Sequence, residues 1–147
     1  MHRPVIREAK VSDLDHVLET ERLCFESPFP PAYLEFHLRL GQGIFLIAEV
    51  DSEAVGYLLI SLRDDDAHLL SIAVLPGFRR LGVGKSLLSQ AVDKARAQGV
   101  KRIRLEVSVS NEPATVLYRS CGFETVGEIR DYYGPGLSAI LMVRDLT

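Results

Sequence analysis

The sequence predicts a mixed α/β domain, with a central mixed sheet of about seven strands flanked by four helices. Short runs of apolar or alternating residues are typical of β-strands, and other segments have the spacing of amphipathic helices. The elements follow the order β-α-α-β-β-β-α-β-α-β-β, which fits neither a doubly wound parallel sheet nor a simple series of hairpins. Because no linker, repeat or low-complexity tract divides the chain, we expect one domain over residues 1–147.

The first half of the chain combines helices with paired strands. Ser12 and Asp15 resemble a capping box, and apolar residues then recur at helical spacing as far as Phe25. Prolines after Ser27 end this helix, and Gly41 ends a second short one. The predicted strands of this half lie at 5–7, 44–50 and 54–62, the last two joined as a hairpin.

The second half contains a long amphipathic helix and a shorter one between strands. Leu87, Leu88, Ala91 and Ala95 share one face of the long helix, which Gly99 ends. The shorter helix has a proline near its first turn. The predicted elements are strands at 68–75, 103–109, 125–129 and 138–143, and helices at 83–98 and 113–121.

Composition excludes several classes of protein. The chain has 147 residues, 47% of them hydrophobic, so it is large enough to fold around a core. A net charge of −3 argues against a nucleic-acid partner, because nucleic-acid binding needs a surplus of Lys and Arg. No apolar run approaches the roughly 20 residues of a membrane span, and no signal peptide is evident, so a cytoplasmic location without membrane attachment is expected.

Cysteine and histidine patterns predict no metal site. Cys24 and Cys121 form no CxxC pattern and are interpreted as reduced core thiols. The four histidines, which are His2, His16, His37 and His68, have no spacing typical of metal ligands.

A glycine loop with three cations lies between a predicted strand and the long helix. Its residues are Arg79, Arg80, Leu81, Gly82, Val83, Gly84 and Lys85. Free amides at a helix start, glycines and cations together suit an anion. A P-loop would need glycine at Arg79, and a dinucleotide fingerprint would need it at Leu87, so both motifs fail. An ordinary turn with solvated arginines is the alternative.

The loop resembles the acyl-CoA pyrophosphate loop of the GNAT N-acetyltransferases, whose pattern is [Q/R]xxGx[G/A]. The preceding segment, residues 70–78, is also similar to that family's motif. The resemblance implies a GNAT fold and acetyl-CoA as cosubstrate. It further implies that the backbone of Ile72, Ala73 and Val74 holds the pantetheine arm, while the amides of residues 79–85 cradle the pyrophosphate.

A second block, residues 105–123, is similar to the LEVxxSNxxAxxLYxxxGF stretch of the family's protein N-terminal acetyltransferases. This resemblance implies that Glu106 is the general base and that Tyr118 donates a proton to the departing thiolate. A positioned tyrosine can supply that proton or stabilise the thiolate by hydrogen bonding. It also implies that Asn111 contacts the pantetheine arm. The alternatives are a surface Glu106 paired with Arg104, a core Tyr118, and Asn111 as a helix N-cap.

The alternation of residues 103–109 places Glu106 on the face opposite Ile103 and Leu105, within an expected interior strand. A carboxylate in such a place is costly unless it is paired or used. His68 is a rival base, although solvation at a strand edge is the favoured interpretation of this residue.

Two further segments match the positions where N-terminal acetyltransferases bind their acceptor. By resemblance, Tyr132 and Tyr133 would bond the backbone of the acceptor's first residues, with turn packing as the alternative. Phe25, Glu26 and Phe29 would shape the pocket for the first side chain, which we expect to take a small or apolar residue.

The sequence therefore predicts an enzyme that transfers acetyl from acetyl-CoA to the α-amino group of a protein or peptide N-terminus. Direct attack in a ternary complex is expected, because no cysteine occupies the motif positions. One alternative is a GNAT that acetylates a small amine or a lysine side chain, and another is a non-catalytic acyl-CoA-binding module. The sequence leaves open whether the chain is a monomer or a homodimer.

Overall fold

The computed structural model describes residues 3–147, so Met1 and His2 lie outside the described part of the chain. The predicted order of strands and helices is confirmed, with short 3₁₀ turns at Val11–Asp13 and Pro76–Phe78 added. The elements are β1 (Val5–Glu8), α1 (Leu14–Cys24), α2 (Pro31–Leu40), β2 (Ile44–Val50), β3 (Glu53–Arg63), β4 (Asp66–Val74), α3 (Val83–Ala97), β5 (Arg102–Ser108), α4 (Glu112–Ser120), β6 (Glu124–Ile129) and β7 (Ala139–Asp145).

The strands form one seven-stranded mixed sheet in the order β1-β2-β3-β4-β5-β7-β6. Every neighbouring pair is antiparallel except β4 and β5, which are parallel and are connected through α3. The predicted hairpin of β2 and β3 is present and turns at Asp51 and Ser52, both of which have positive φ.

Helices cover both faces of the sheet. On one face α3 buries Leu87, Leu88 and Ala91 against the strands, and α4 adds Tyr118 beside Phe123. On the other face α1 and α2 pack over a smaller cluster, whose buried members are Val17, Leu34, Ile47, Tyr57, Leu59 and Ala73. The central strands are therefore buried on both sides.

Strands β4 and β5 pair over three residues only and then separate. Their parallel ladder joins Asp66, Ala67 and His68 to 102–104, and the ladder ends there. On the other side of β4, Leu59 pairs with Ser71 while Ile60 pairs with Leu69, so Leu70 is the extra residue of a β-bulge. A bulge bends its strand, and here it lies where β4 leaves β5.

The start of α1 differs from the prediction. Ser12 does not cap the helix; Asp13 instead accepts a hydrogen bond from the Lys10 amide at 2.7 Å and two from the Arg7 guanidinium at 2.8 Å. The buried Asp13 carboxylate thus joins the start of α1 to β1. Phe25 is also outside the helix, because its backbone is extended and α1 ends at Cys24.

Among residues 3–147, no helix has both the length and the apolar character that a membrane crossing requires.

Replacing Asp13 by Asn should destabilise the fold in a pH-dependent manner. The Arg7 guanidinium holds the pKa of the Asp13 carboxyl below its usual range. The stabilisation is therefore present above the unfolded pKa of about 4 and is lost as pH falls through the lower folded value. Urea unfolding at pH 7 should show that Asp13→Asn lowers the free energy of unfolding by about 1–3 kcal/mol.

The difference in the free energy of unfolding between wild type and Asp13→Asn should shrink as the pH is lowered towards 3. Glu19→Gln is a suitable control, because Glu19 forms an exposed ion pair with Arg22. Loss of that ion pair should lower the free energy of unfolding by under about 1 kcal/mol. A stability difference that stays the same at every pH would contradict the role assigned to Asp13.

Candidate active site

The Glu106 carboxylate lies where β4 and β5 separate. Glu106 is on β5, two residues beyond the last residue paired with β4, and its side chain is 9% exposed. The carboxylate accepts hydrogen bonds from His68 Nε2 at 2.8 Å and from the Tyr132 hydroxyl at 3.0 Å. Arg104 Nη1 lies 3.6 Å from its other oxygen. Glu106 is therefore a nearly buried acceptor held by three donor-bearing side chains.

His68 belongs to this cluster, so its interpretation as a residue solvated at a strand edge is wrong. β4 is an interior strand, and His68 is its last residue paired with β5. Because an ionised carboxylate can only accept, the contact requires a proton on Nε2. Arg104 does approach Glu106, as the surface interpretation expected, but it is only one of three partners and also pairs with Asp66 at 3.3 Å.

Tyr118 has a buried ring on α4, tilted against Phe123 with 5.9 Å between ring centroids. Burial, and secondarily Tyr133, raise the pKa of the Tyr118 phenol well above its usual range. Its hydroxyl forms no hydrogen bond with any residue of 3–147. Tyr118 therefore keeps its proton and has a donor available.

Asn111 is the N-cap of α4. Its side-chain oxygen accepts a hydrogen bond from the Ala114 amide at 3.2 Å, which confirms the capping interpretation. Asn111 is exposed, and its carbonyl also accepts from the Thr115 amide. Within residues 3–147 its side-chain nitrogen donates to no partner, so it is available for a second contact.

The glycine loop places amides at the start of α3. Gly82 is the N-cap and has φ +78°, and the first backbone bond of the helix runs from Ser86 to the Gly82 carbonyl at 3.0 Å. The amides of Val83, Gly84 and Lys85 consequently have no carbonyl partner within the helix. Arg80 and Lys85 are exposed beside them, and Arg80 also has positive φ. This arrangement suits an anionic group.

The end of β4 leads directly into this loop. Ile72 and Val74 pack towards α3, whereas Ala73 packs on the α1 and α2 side. The Val74 carbonyl accepts from Arg79 Nε at 3.0 Å and from the Cys24 thiol at 3.4 Å. Arg79 thus fixes the loop to the strand, whereas exposed Leu81 extends from it. Within residues 3–147, no three His, Cys, Asp or Glu side chains are grouped as metal ligands.

The two predicted acceptor segments connect different elements, since 25–29 lies between α1 and α2, and Tyr132 and Tyr133 lie between β6 and β7. Tyr132 and Tyr133 are each 47% exposed and meet edge-on, with ring centroids 4.9 Å apart. Burial raises the pKa of Tyr133 to about 12 and also raises that of Tyr132, where the bond to Glu106 contributes. Phe25 and Glu26 are exposed, and Phe29 stacks on Tyr33 at 5.1 Å.

The buried carboxylate of Glu21 was not predicted from the sequence. This residue of α1 is 3% exposed and accepts hydrogen bonds from the Tyr57 hydroxyl, from Ser71 Oγ at 3.2 Å and from the Phe29 amide at 2.8 Å. Its spacing of four from the buried Val17 places it on the apolar face of α1, which is the signal that could have identified it.

Comparisons with known proteins agree with this geometry. The acetyltransferase (GNAT) family matches residues 14–123. An N-alpha-acetyltransferase of Sulfurisphaera tokodaii is 37% identical over 96% of this chain and 92% of its own length. A putative [ribosomal protein bS18]-alanine N-acetyltransferase of Bacillus subtilis is 32% identical over 95% of this chain and 94% of its own length.

A solved structure has the same fold over almost the whole chain. The ribosomal-protein-S18-alanine N-acetyltransferase of Escherichia coli superposes with a TM-score of 0.90 at 25% identity, covering 99% of this chain and 95% of that one. The separation of β4 from β5, together with the amide-lined loop, is therefore typical of an acyltransferase fold. This chain belongs to the GNAT acetyltransferase family, whose acetyl donor is acetyl-CoA.

Replacing Gly82 by Ala should disturb the anion loop. A Cβ at Gly82 meets no atom within 4 Å, so the cost of about 1–2 kcal/mol comes from the positive φ alone. We expect a lower melting temperature and weaker CoA binding in isothermal titration, because the amides at the start of α3 would be redirected.

Gly77→Ala is the matched control for this loop. Gly77 also has nothing within 4 Å of an added Cβ, but it does not have positive φ. This variant should bind CoA as the wild type does. Equal CoA affinity of Gly82→Ala and Gly77→Ala would contradict the role of the Gly82 conformation.

Proposed function

We propose that this chain transfers the acetyl group of acetyl-CoA to the α-amino group of a protein or peptide N-terminus. The observation that carries the proposal is the nearly buried Glu106 carboxylate, held by His68 and Tyr132 where β4 and β5 part. The names of the relatives from Sulfurisphaera tokodaii and Bacillus subtilis support an α-amino acceptor.

The chain's residues fit acetyl-CoA at the end of β4 and the start of α3. The amides of 82–85 and the cations Arg80 and Lys85 would hold the pyrophosphate, and the backbone of 72–74 would hold the pantetheine arm. The amide nitrogen of Asn111 would add one donor while its oxygen caps α4. Acetyl-CoA supplies the acetyl thioester, and backbone amides near the parting strands would polarise its carbonyl.

Glu106 acts as the general base in this proposal. Nitrogen of the neutral amine bonds to the acyl carbon as the carbon–sulfur bond breaks, and Glu106 takes the amine proton directly or through one water. His68 orients the carboxylate by donating from Nε2. Tyr132 is exposed, so it is the donor that the incoming amine or water would replace.

Tyr118 stabilises the departing sulfur. Burial raises its pKa far above that of a thiol, about 8.5, so complete proton transfer from Tyr118 to a thiolate is unfavourable. Hydrogen-bond donation from its free hydroxyl to the thiolate is the contribution that this environment supports.

An α-amine matches a carboxylate base better than lysine does. With a pKa of about 7.8, roughly one tenth of α-amines are neutral at pH 7, against under about one thousandth of lysine side chains at 10.4. Direct attack therefore needs little prior deprotonation when the acceptor is an N-terminus. The segments around Phe29 and Tyr133 would enclose the first residues of that acceptor.

We further propose that residues 1–147 act as one domain in the cytoplasm. Helices on both faces share one sheet, which supports a single folding unit. Cys24 and Cys121 are free thiols, as expected in a reducing compartment.

Acetylation of a peptide library with varied first residues tests the function. We expect mass spectrometry to find acetyl on the α-amine, with small or apolar first residues preferred. Polyamines and a peptide with a blocked N-terminus and one lysine serve as competing acceptors. Acetylation of those competitors without acetylation of free N-termini would contradict the proposal.

Replacing Glu106 by Gln tests the proposed base. We expect kcat to fall about 100-fold or more, because a positioned general base contributes at least that factor. CoA affinity should stay within about twofold of wild type, since the anion loop is untouched.

Glu124→Gln is the control, because Glu124 is exposed on β6 and should leave kcat unchanged. A Glu106→Gln variant that keeps wild-type turnover would remove Glu106 from the mechanism. Binding of CoA with no turnover by the wild type would instead favour a non-catalytic acyl-CoA-binding module.

A further inference from the structure

Glu21 is a buried carboxylate without a counter-ion. No cation within residues 3–147 pairs with it, and its three partners are the Tyr57 hydroxyl, the Ser71 hydroxyl and the Phe29 amide. Each of these three groups has a hydrogen that it can donate to a carboxylate oxygen. Burying such a charge is costly even when it is hydrogen-bonded. A core that required only stability could use an apolar residue at this position of α1.

Glu21 connects two parts of the proposed acetyl and acceptor sites. Ser71 immediately precedes 72–74, the segment proposed to hold the pantetheine arm. Phe29 belongs to the segment 25–29, which is proposed to shape the pocket for the acceptor's first side chain. Tyr57 on β3 supports the Ser71 side of this connection, because its hydroxyl bonds to Glu21 and also lies 2.9 Å from Ser71 Oγ.

The segment 26–29 depends on Glu21 for its attachment. Pro28 has no amide hydrogen, and within residues 3–147 the Phe29 amide makes the segment's one hydrogen bond, at 2.8 Å to Glu21 Oε2. The Phe29 ring packs on the same hydrophobic cluster as Ala73 of β4. A loop with so few bonds moves readily once such a bond is weakened.

We propose that Glu21 is a positioning residue that determines selectivity for the acceptor's first residue. It does so by holding Phe29 at a fixed place relative to the end of β4, through the pair of bonds to the Phe29 amide and to Ser71. This inference rests on the proposed N-terminal acetyltransferase function, and it assigns Glu21 no direct contact with the acceptor.

Glu21→Gln tests the proposal with little change in shape. The amide side chain keeps one oxygen for the Phe29 amide, but this neutral acceptor makes a weaker bond than a carboxylate, and the Tyr57 and Ser71 hydroxyls must turn to accept from its NH2 group. We expect the KM for the preferred peptide to rise about tenfold and discrimination between first residues to fall by a similar factor. The kcat for the preferred peptide and the KM for acetyl-CoA should change less than about twofold.

Two further measurements separate positioning from simple stability. Glu19→Gln, on the exposed side of α1, is the control and should leave both KM values and the discrimination unchanged. The chain has no tryptophan, so Phe29→Trp provides a single fluorescent reporter of the segment. Its anisotropy should be lower in the Glu21→Gln background than with Glu21 present.

A Glu21→Gln variant with a lowered melting temperature but wild-type peptide KM and discrimination would overturn the inference alone. Equal anisotropy of the reporter in both backgrounds would also overturn it, because the segment would then not depend on Glu21. A wild-type chain that acetylates no N-terminal peptide would overturn the proposed function, and the selectivity role with it.

Discussion

The short parallel ladder between β4 and β5 is the constraint on which the site depends. After His68 the two strands separate, helped by the bulge at Leu70, and the interior of the sheet becomes accessible at one place. A ladder that continued would pair the β5 backbone beside Glu106 with β4 and leave no gap between the strands for an acyl group. Because β4 leads straight into the Gly82 loop, the same separation brings the proposed base and the proposed anion site to one end of the sheet.

The carboxylates of Glu106 and Glu21 have different surroundings and, in our account, different functions. Glu106 has two donors with exposed surface, Tyr132 and Arg104, so one of its bonds can be exchanged for a ligand. Glu21 is enclosed by donors from the core and from the Phe29 amide. A carboxylate whose partners can leave is suited to proton transfer, whereas one with fixed partners is suited to holding backbone in place.

Local patterns predicted the order of the elements, both hairpin strands and the helix that begins directly after Gly82, because period and glycine position are local properties. The residues that sequence reasoning misjudged are those whose partners are distant. His68 appeared solvated because pairing of β4 with β5 cannot be read from one strand, and Ser12 appeared to be a cap because Asp13 is held by Arg7 of β1. Glu21 was missed because its donors come from β3, β4 and a proline-rich segment. The roles of Glu106 and Tyr118 were predicted from resemblance, and they stay proposals here.

The most direct test of the central claim is a crystal structure of the chain with CoA and an acceptor peptide. Our account predicts the peptide's α-amino nitrogen about 3 Å from the Glu106 carboxylate, or one water away from it, with Tyr132 displaced from that carboxylate. CoA should lie with its pyrophosphate on the amides at the start of α3. A peptide amine placed beyond the reach of Glu106, with the bond between Tyr132 and Glu106 intact, would contradict the account.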